Sequence, residues 1–377
     1  MKRFFAVLLA ILHLSSLSFR ATPVCNAKAA IVIEASTGAI LYEKNADLLL
    51  PEASTTKIMT ALLTLERADP SEEFTVSPRA AATEGSQLGL AEGDRLSVRD
   101  LLYILMLKSG NDAAVALAEG ICGTVERFVD AMNQKAEELG LSSTHFQNPH
   151  GLPDQGHETT ARDLAELTAV AMENAVFAEL VATKKATLTY KRMVLENSNK
   201  LLWSCDGVVG VKTGFTKAAG RCLVSAAERE GIRLICVTLN DPDDWRDHAA
   251  LYDTCFSRIG REIWLQAGEY RGQVPTLDGE SWVTVTNAAP VTRIVIDGIP
   301  QGGALVQETM PRTFAPVPQG RRMGRLLLRS ERGRTICAVP LEAAARVEQK
   351  KEERTLFGSF LLKLRKLWRA LISKTVF

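Results

Sequence analysis

Residues 51–67 read PEASTTKIMTALLTLER. Ile58, Met59, Leu62, Leu63 and Leu65 recur at helical spacing with no Gly or Pro among them, which predicts a helix with one apolar face in a core. Ser54 stands where that helix begins, a position that favours serine because its hydroxyl can accept from a free backbone N–H. Residues three apart share a helix face, so the Lys57 amine is predicted beside the Ser54 hydroxyl. A hydroxyl is a poor nucleophile at neutral pH unless a base takes its proton, and a lysine can be that base once it is neutral. A helix start also offers backbone N–H groups to a developing oxyanion.

Alone, an S-x-x-K string arises about once by chance in a chain of this size, so its company decides its meaning. Residues 101–119, LLYILMLKSGNDAAVALAE, set Ser109-Gly110-Asn111 between two apolar helical segments. There Ser109 can relay a proton between Lys57 and a leaving amine, and the Asn111 amide can both donate to and accept from a substrate peptide. Residues 208–216, VVGVKTGFT, are β-branched, and with 221–227 and 233–239 they predict three successive strands with turns at 217–220 and 230–231. Gly214 lets a substrate backbone lie close to the first of these strands. Lys212 brings a cation near Lys57 and near any substrate carboxylate, and its field and partial burial both disfavour a charged Lys57.

The match extends beyond these strings. Residues 29–47 (AAIVIEASTGAILYEKNAD), 51–66 and 146–167 (FQNPHGLPDQGHETTARDLAEL) resemble blocks of the low-molecular-mass penicillin-binding proteins. These are the serine-type D-alanyl-D-alanine carboxypeptidases of peptidase family S11, of the penicillin-binding protein 5 and sporulation carboxypeptidase kind. The resemblance implies an α/β, serine β-lactamase/transpeptidase-like domain, a sheet with an inserted helical subdomain, followed by a small all-β domain. It implies Ser54 as acylated nucleophile, Lys57 as its base, and Ser109 with Asn111 as the second-motif pair. Lys212, Thr213 and Gly214 would form the carboxylate-facing strand, the backbone N–H groups of Ser54 and Phe215 the oxyanion hole, and Arg246 a further carboxylate contact. Substrates would be peptidoglycan stem peptides, with β-lactam antibiotics as acylating inhibitors and no cofactor.

Composition agrees with such a protein. The 377 residues support two domains after processing, and 46% hydrophobic content is ample for a sizeable core. A net charge of +1, with no basic stripe before the C-terminus, argues against a nucleic-acid partner. The five histidines, among them His145, His150 and His157, lack a regular ligand spacing, so no metal centre is expected. Cys122, Cys205, Cys222, Cys236, Cys255 and Cys337 form no CxxC pair and read as buried free thiols.

Both ends read as targeting segments. Lys2 and Arg3, an apolar run over 4–17 and the small-x-small string Ala27-Lys28-Ala29 predict a secretory signal peptide over residues 1–29. The run is too short to span a bilayer comfortably, and Thr22-Pro23-Val24 before Cys25 is a poor lipobox. Residues 30–261 then form the catalytic domain, and 265–345, rich in runs such as WVTVTN and TICAVPL, a small β-rich domain. Over 354–377, Leu356, Phe360, Leu364, Trp368 and Leu371 share one helical arc and Lys363, Arg365, Lys366 and Arg369 the other. That pattern predicts a helix lying on an anionic membrane surface through 356–372, which would hold an exported protein at the outer face of the cytoplasmic membrane. The interspersed charges exclude a transmembrane span.

Two other readings compete. A class A β-lactamase shares the first and third strings but needs a Glu-x-x-Leu-Asn loop, and none occurs between Asn111 and Lys212. A non-catalytic, membrane-anchored wall-binding scaffold would keep the fold without turnover, and the intact strings weigh against it.

Overall fold

The computed structural model describes residues 25–350; most of the expected leader and the whole of the expected terminal helix lie outside the described residues. The described residues divide into two compact units, those up to 260 with 296–299, and 261–295 with those from 300 onward.

The first unit is built on an antiparallel sheet of β1 (Ala29–Glu34), β2 (Ile40–Lys44), β3 (Val208–Thr216), β4 (Gly220–Arg229) and β5 (Ile232–Leu239). Its order is β2-β1-β5-β4-β3, so strands from both ends of the unit's sequence meet, with Ile31 opposite Val237. All of AAIVIE in β1 is buried, as a strand covered on both faces requires. Ala29, Ile31 and Ile33 join the main core cluster, whereas the equally buried Ala30 and Val32 point the other way.

Between β2 and β3 the chain inserts the helical subdomain: α1 (Lys57–Arg67), α2 (Val98–Leu107), α3 (Asn111–Cys122), α4 (Val125–Glu138), α5 (Ala161–Ala171) and α6 (Ala175–Ala182). Side-chain oxygens of Ser97, Thr124, Thr160 and Asn174 start α2, α4, α5 and α6 by accepting from orphan N–H groups. In α3 the run Asn111 to Ala118 is wholly buried, which small residues permit because neighbouring helices can close around them. A last helix, α7 (Asp244–Phe256), follows β5.

The expected leader runs to residue 29, yet Cys25, Ala27 and Ala29 are buried in this unit. Lys28 N–H donates to Leu239 O at 3.1 Å and Asn26 N–H to Asp247 at 2.6 Å, so residues 25–28 pack against this unit just ahead of β1.

The second unit contains, among the described residues, strands and turns without a helix. Its larger sheet runs Gly272–Val274, Val283–Asn287, Thr335–Ala343, Arg322–Arg329 and Ala304–Thr309. Val283, Val285 and Asn287 are buried in alternation with half-exposed Thr284 and Thr286, the period of a strand with one covered face. All seven cysteines are free, with Cys25, Cys222, Cys236 and Cys255 buried and Cys122, Cys205 and Cys337 half-buried. No helix among the described residues is long and apolar enough to cross a membrane.

Candidate active site

Ala53–Thr56 forms a single 3-10 turn, and α1 starts only at Lys57. The N-cap role expected for Ser54 is therefore corrected: Ser54 lies inside the turn and its hydroxyl caps nothing. Thr55 and Thr56 tie the turn instead, donating from their hydroxyls to Glu52 O at 2.7 Å and Ala53 O at 2.8 Å. Residues three apart eclipse in a 3-10 turn, and Lys57 Nζ stands 2.9 Å from Ser54 Oγ.

The Lys57 amine is enclosed. It lies 2.7 Å from Asn111 Oδ1 and 2.7 Å from His150 O. Asn111 Nδ2 donates to Glu84 O at 2.6 Å, which fixes the amide with its oxygen toward Lys57. Burial, and after it the Lys212 cation, push Lys57 well below the usual lysine range, with Asp112 opposing. A neutral amine has two N–H groups and one lone pair. The oxygens of Asn111 and His150 can only accept, so they take both N–H groups and leave the lone pair for the Ser54 O–H.

Lys212, Thr213 and Gly214 lie on β3, the edge strand of the sheet. Lys212 is buried, donates to Thr213 O at 2.8 Å, and is brought by burial down to about 7. A Cβ at Gly214 would stand 3.0 Å from Glu52 O and 3.1 Å from Ser54 N. The close approach that glycine allows here is thus, in the first place, that of the nucleophile turn itself. Thr213 is half-buried, and Phe215 is exposed beyond it.

Ser109 joins α2 to α3 in a left-handed conformation, φ 63°. Its hydroxyl is buried without a hydrogen-bond partner among the described residues, Lys57 included. A strained residue carrying an unpaired buried hydroxyl is what a group reserved for a ligand looks like. Arg246 binds Asp243 at 2.9 Å and Asp247 at 3.1 Å, with its side chain largely exposed. Carboxylates one and three residues away on the same helix start satisfy it locally.

Sequence reasoning missed the support beneath the turn. His157 Nε2 lies 3.0 Å from Glu52 Oε1 and 2.9 Å from Thr56 Oγ1, all three residues being buried. Gln147 N–H donates to His157 Nδ1 at 2.9 Å, so Nδ1 accepts and the proton on Nε2 faces Glu52. The His150 carbonyl was invisible because a backbone acceptor leaves no residue signature. Its loop is folded by Asn148, which accepts from Gly151 N–H at 2.8 Å and donates to Leu152 O at 3.0 Å. Among the described residues the one grouping of three metal-ligand side chains, Cys25, Asp241 and Asp247, includes no residue of this site.

A serine hydroxyl served by a buried lysine, with a second lysine on an adjoining strand, defines an active-site-serine acyl-transfer fold in which the base is an amine rather than an imidazole. The sequence model described as D-alanyl-D-alanine carboxypeptidase, Peptidase_S11, matches residues 18–243. The chain belongs to that family, the cell-wall-processing hydrolases that include penicillin-binding proteins. It is 33% identical over 338 residues to the D-alanyl-D-alanine carboxypeptidase DacF of Bacillus subtilis, covering 86% of each chain. The solved PBP3 of Streptococcus pneumoniae, described as a peptidoglycan synthesis regulatory factor, is similar with a TM-score of 0.69 at 26% identity, over 86% of this chain and 100% of that one. DacD of Francisella tularensis gives 0.61 at 28% identity, over 88% and 95%.

Proposed function

We propose that this chain removes the terminal D-alanine from peptidoglycan stem pentapeptides through an acyl-enzyme on Ser54. The observation that carries the reading is the enclosed Lys57 amine, held by two acceptors so that its lone pair meets the Ser54 hydroxyl at 2.9 Å. Lys57 takes the hydroxyl proton as Ser54 Oγ attacks the carbonyl between the last two D-alanines. The oxyanion forms against the backbone N–H groups of Ser54 and Phe215. As it collapses the C–N bond breaks, and D-alanine leaves with a proton relayed from Lys57 through Ser109. Water then adds to the ester and restores Ser54. Charged Lys212 and the Thr213 hydroxyl hold the substrate's terminal carboxylate, and the Asn111 amide, held between Lys57 and Glu84 O, orients the base. β-Lactams acylate the same hydroxyl.

The protein acts, in this reading, outside the cytoplasmic membrane. Residues 1–29 carry the export leader, and residues 356–372 bind an anionic lipid surface. The test is release of free D-alanine from a synthetic pentapeptide together with covalent labelling by fluorescent penicillin. Ser54→Ala should abolish both. A penicillin adduct mapped by mass spectrometry to any other residue would overturn the assignment.

A further inference from the structure

Behind the sheet's first strand, a second cluster has no part in the acyl-transfer chemistry. One ligand atom each from Cys25, Asp241 and Asp247 lies within 4.8 Å of the other two. All three residues are buried, Asp241 completely. Asp241 Oδ1 accepts from Asp243 N–H at 3.0 Å, whereas its Oδ2 is buried with no hydrogen-bond partner, and the carboxylate forms no ion pair among the described residues. Its neighbours are served: Arg246 binds Asp243 and Asp247, and Arg221 binds Asp244. Lys44, the cation acting on Cys25, donates to the Cys25 carbonyl at 2.8 Å rather than to a carboxylate. A sealed carboxylate oxygen with no hydrogen bond of ordinary length and no cation, the Thr238 hydroxyl being the one side-chain donor acting on the group, is costly to bury. Its neighbours are a thiol and a second carboxylate.

One sulfur and two oxygens are the donor set of a borderline cation. Ca²⁺ and Mg²⁺ take six or more oxygen ligands, whereas Zn²⁺ accepts thiolate and carboxylate together in four-coordinate sites. Zn–S and Zn–O bonds of about 2.3 and 2.1 Å put tetrahedral ligands roughly 3.5 Å apart, so small side-chain shifts close the observed spacing. We propose that Cys25, Asp241 and Asp247 form a structural Zn²⁺ site that clamps the start of the processed chain to the turn between β5 and α7, with water completing the tetrahedron. On binding, the Cys25 thiol releases its proton to solvent and no electron is transferred. The clamp requires a mature chain that begins at or before Cys25.

The test uses the exported, processed protein stripped with a chelator, with Zn²⁺ alone as probe in equilibrium dialysis and Co²⁺ as its spectroscopic substitute. The expected result is one Zn²⁺ per chain and a thiolate-to-cobalt charge-transfer band. Cys25→Ser should remove the band, and both Cys25→Ser and Asp241→Asn should weaken Zn²⁺ binding by at least about 100-fold, while penicillin acylation stays unchanged and reports an intact fold. If Cys25→Ser fails to acylate, the isosteric Asp241→Asn and the parent's cobalt spectrum decide. Absence of the sulfur band in the parent, Zn²⁺ binding undiminished by Asp241→Asn, or a mature N-terminus beyond Cys25 would each overturn the proposal.

Discussion

Replacing Gly151 by alanine places a methyl group 1.9 Å from Ala53 O and 2.4 Å from Ala53 C, where contacts under 3.0 Å are not tolerated. The obstacle is backbone, so the 3-10 turn and the 148–152 loop must separate by roughly 1 Å. That moves Ser54 and the His150 carbonyl apart across Lys57, and a displacement of about 1 Å at reacting groups costs on the order of 100-fold in rate. Gly151 also has φ 89°, a conformation that costs an alanine about 1–2 kcal/mol of stability. Gly140→Ala separates the two effects, because Gly140 has φ 71° with nothing within 4 Å of its added Cβ. The second-order rate of fluorescent-penicillin acylation, read beside the thermal midpoint, should fall about 100-fold in Gly151→Ala and stay near the parent in Gly140→Ala, with both variants losing stability. A folded Gly151→Ala protein that acylates within about threefold of the parent would refute the idea that this loop sets the nucleophile's position.

Lys57→Arg should slow acylation by at least about 10³-fold, since a guanidinium cannot give up a proton at working pH, and near-normal labelling would remove Lys57 from the mechanism. Because burial and Lys212 hold Lys57 well below 10.5, acylation should rise with pH as Lys57 loses its proton and level off well short of 10.5; a rate still climbing there contradicts the assignment. Lys212 at about 7 loses its charge as pH rises through that value, so kcat/KM for the acid peptide should decline above it while a C-terminally amidated peptide lacks the declining limb. Matching profiles for the two peptides would take Lys212 out of carboxylate recognition. Truncation before Arg354 should move the protein from the membrane to the soluble fraction with activity on a soluble peptide intact, and loss of that activity would make residues 356–372 a packed structural element instead.

Much of the fold was legible because it rests on local periodicity. The apolar spacing after Ser54, the two helical runs around Ser109 and the β-branched runs after Val208 became α1, α2 with α3, and β3 to β5. The i, i+3 spacing of Ser54 and Lys57 likewise survives the change from α-helix to 3-10 turn, since both geometries bring such residues together. The helix start itself was misread: hydroxyls of Thr55 and Thr56 satisfy the backbone around the turn, leaving Ser54 uncapped and available.

What only tertiary structure decided lies in contacts between distant segments. The His150 carbonyl reaches Lys57 across 93 positions of sequence, and His157 braces Thr56 across 101. Whether Arg246 serves a substrate or its own helix depends on which carboxylates stand beside it, and whether Gly214 faces a ligand or the Glu52–Ser54 backbone depends on how the turn docks against β3. Residue type and spacing specify which chemical groups are available along a helix or strand. Burial, which drives Lys57 toward the neutral amine, is a property of everything packed around it, and no local stretch of sequence contains it.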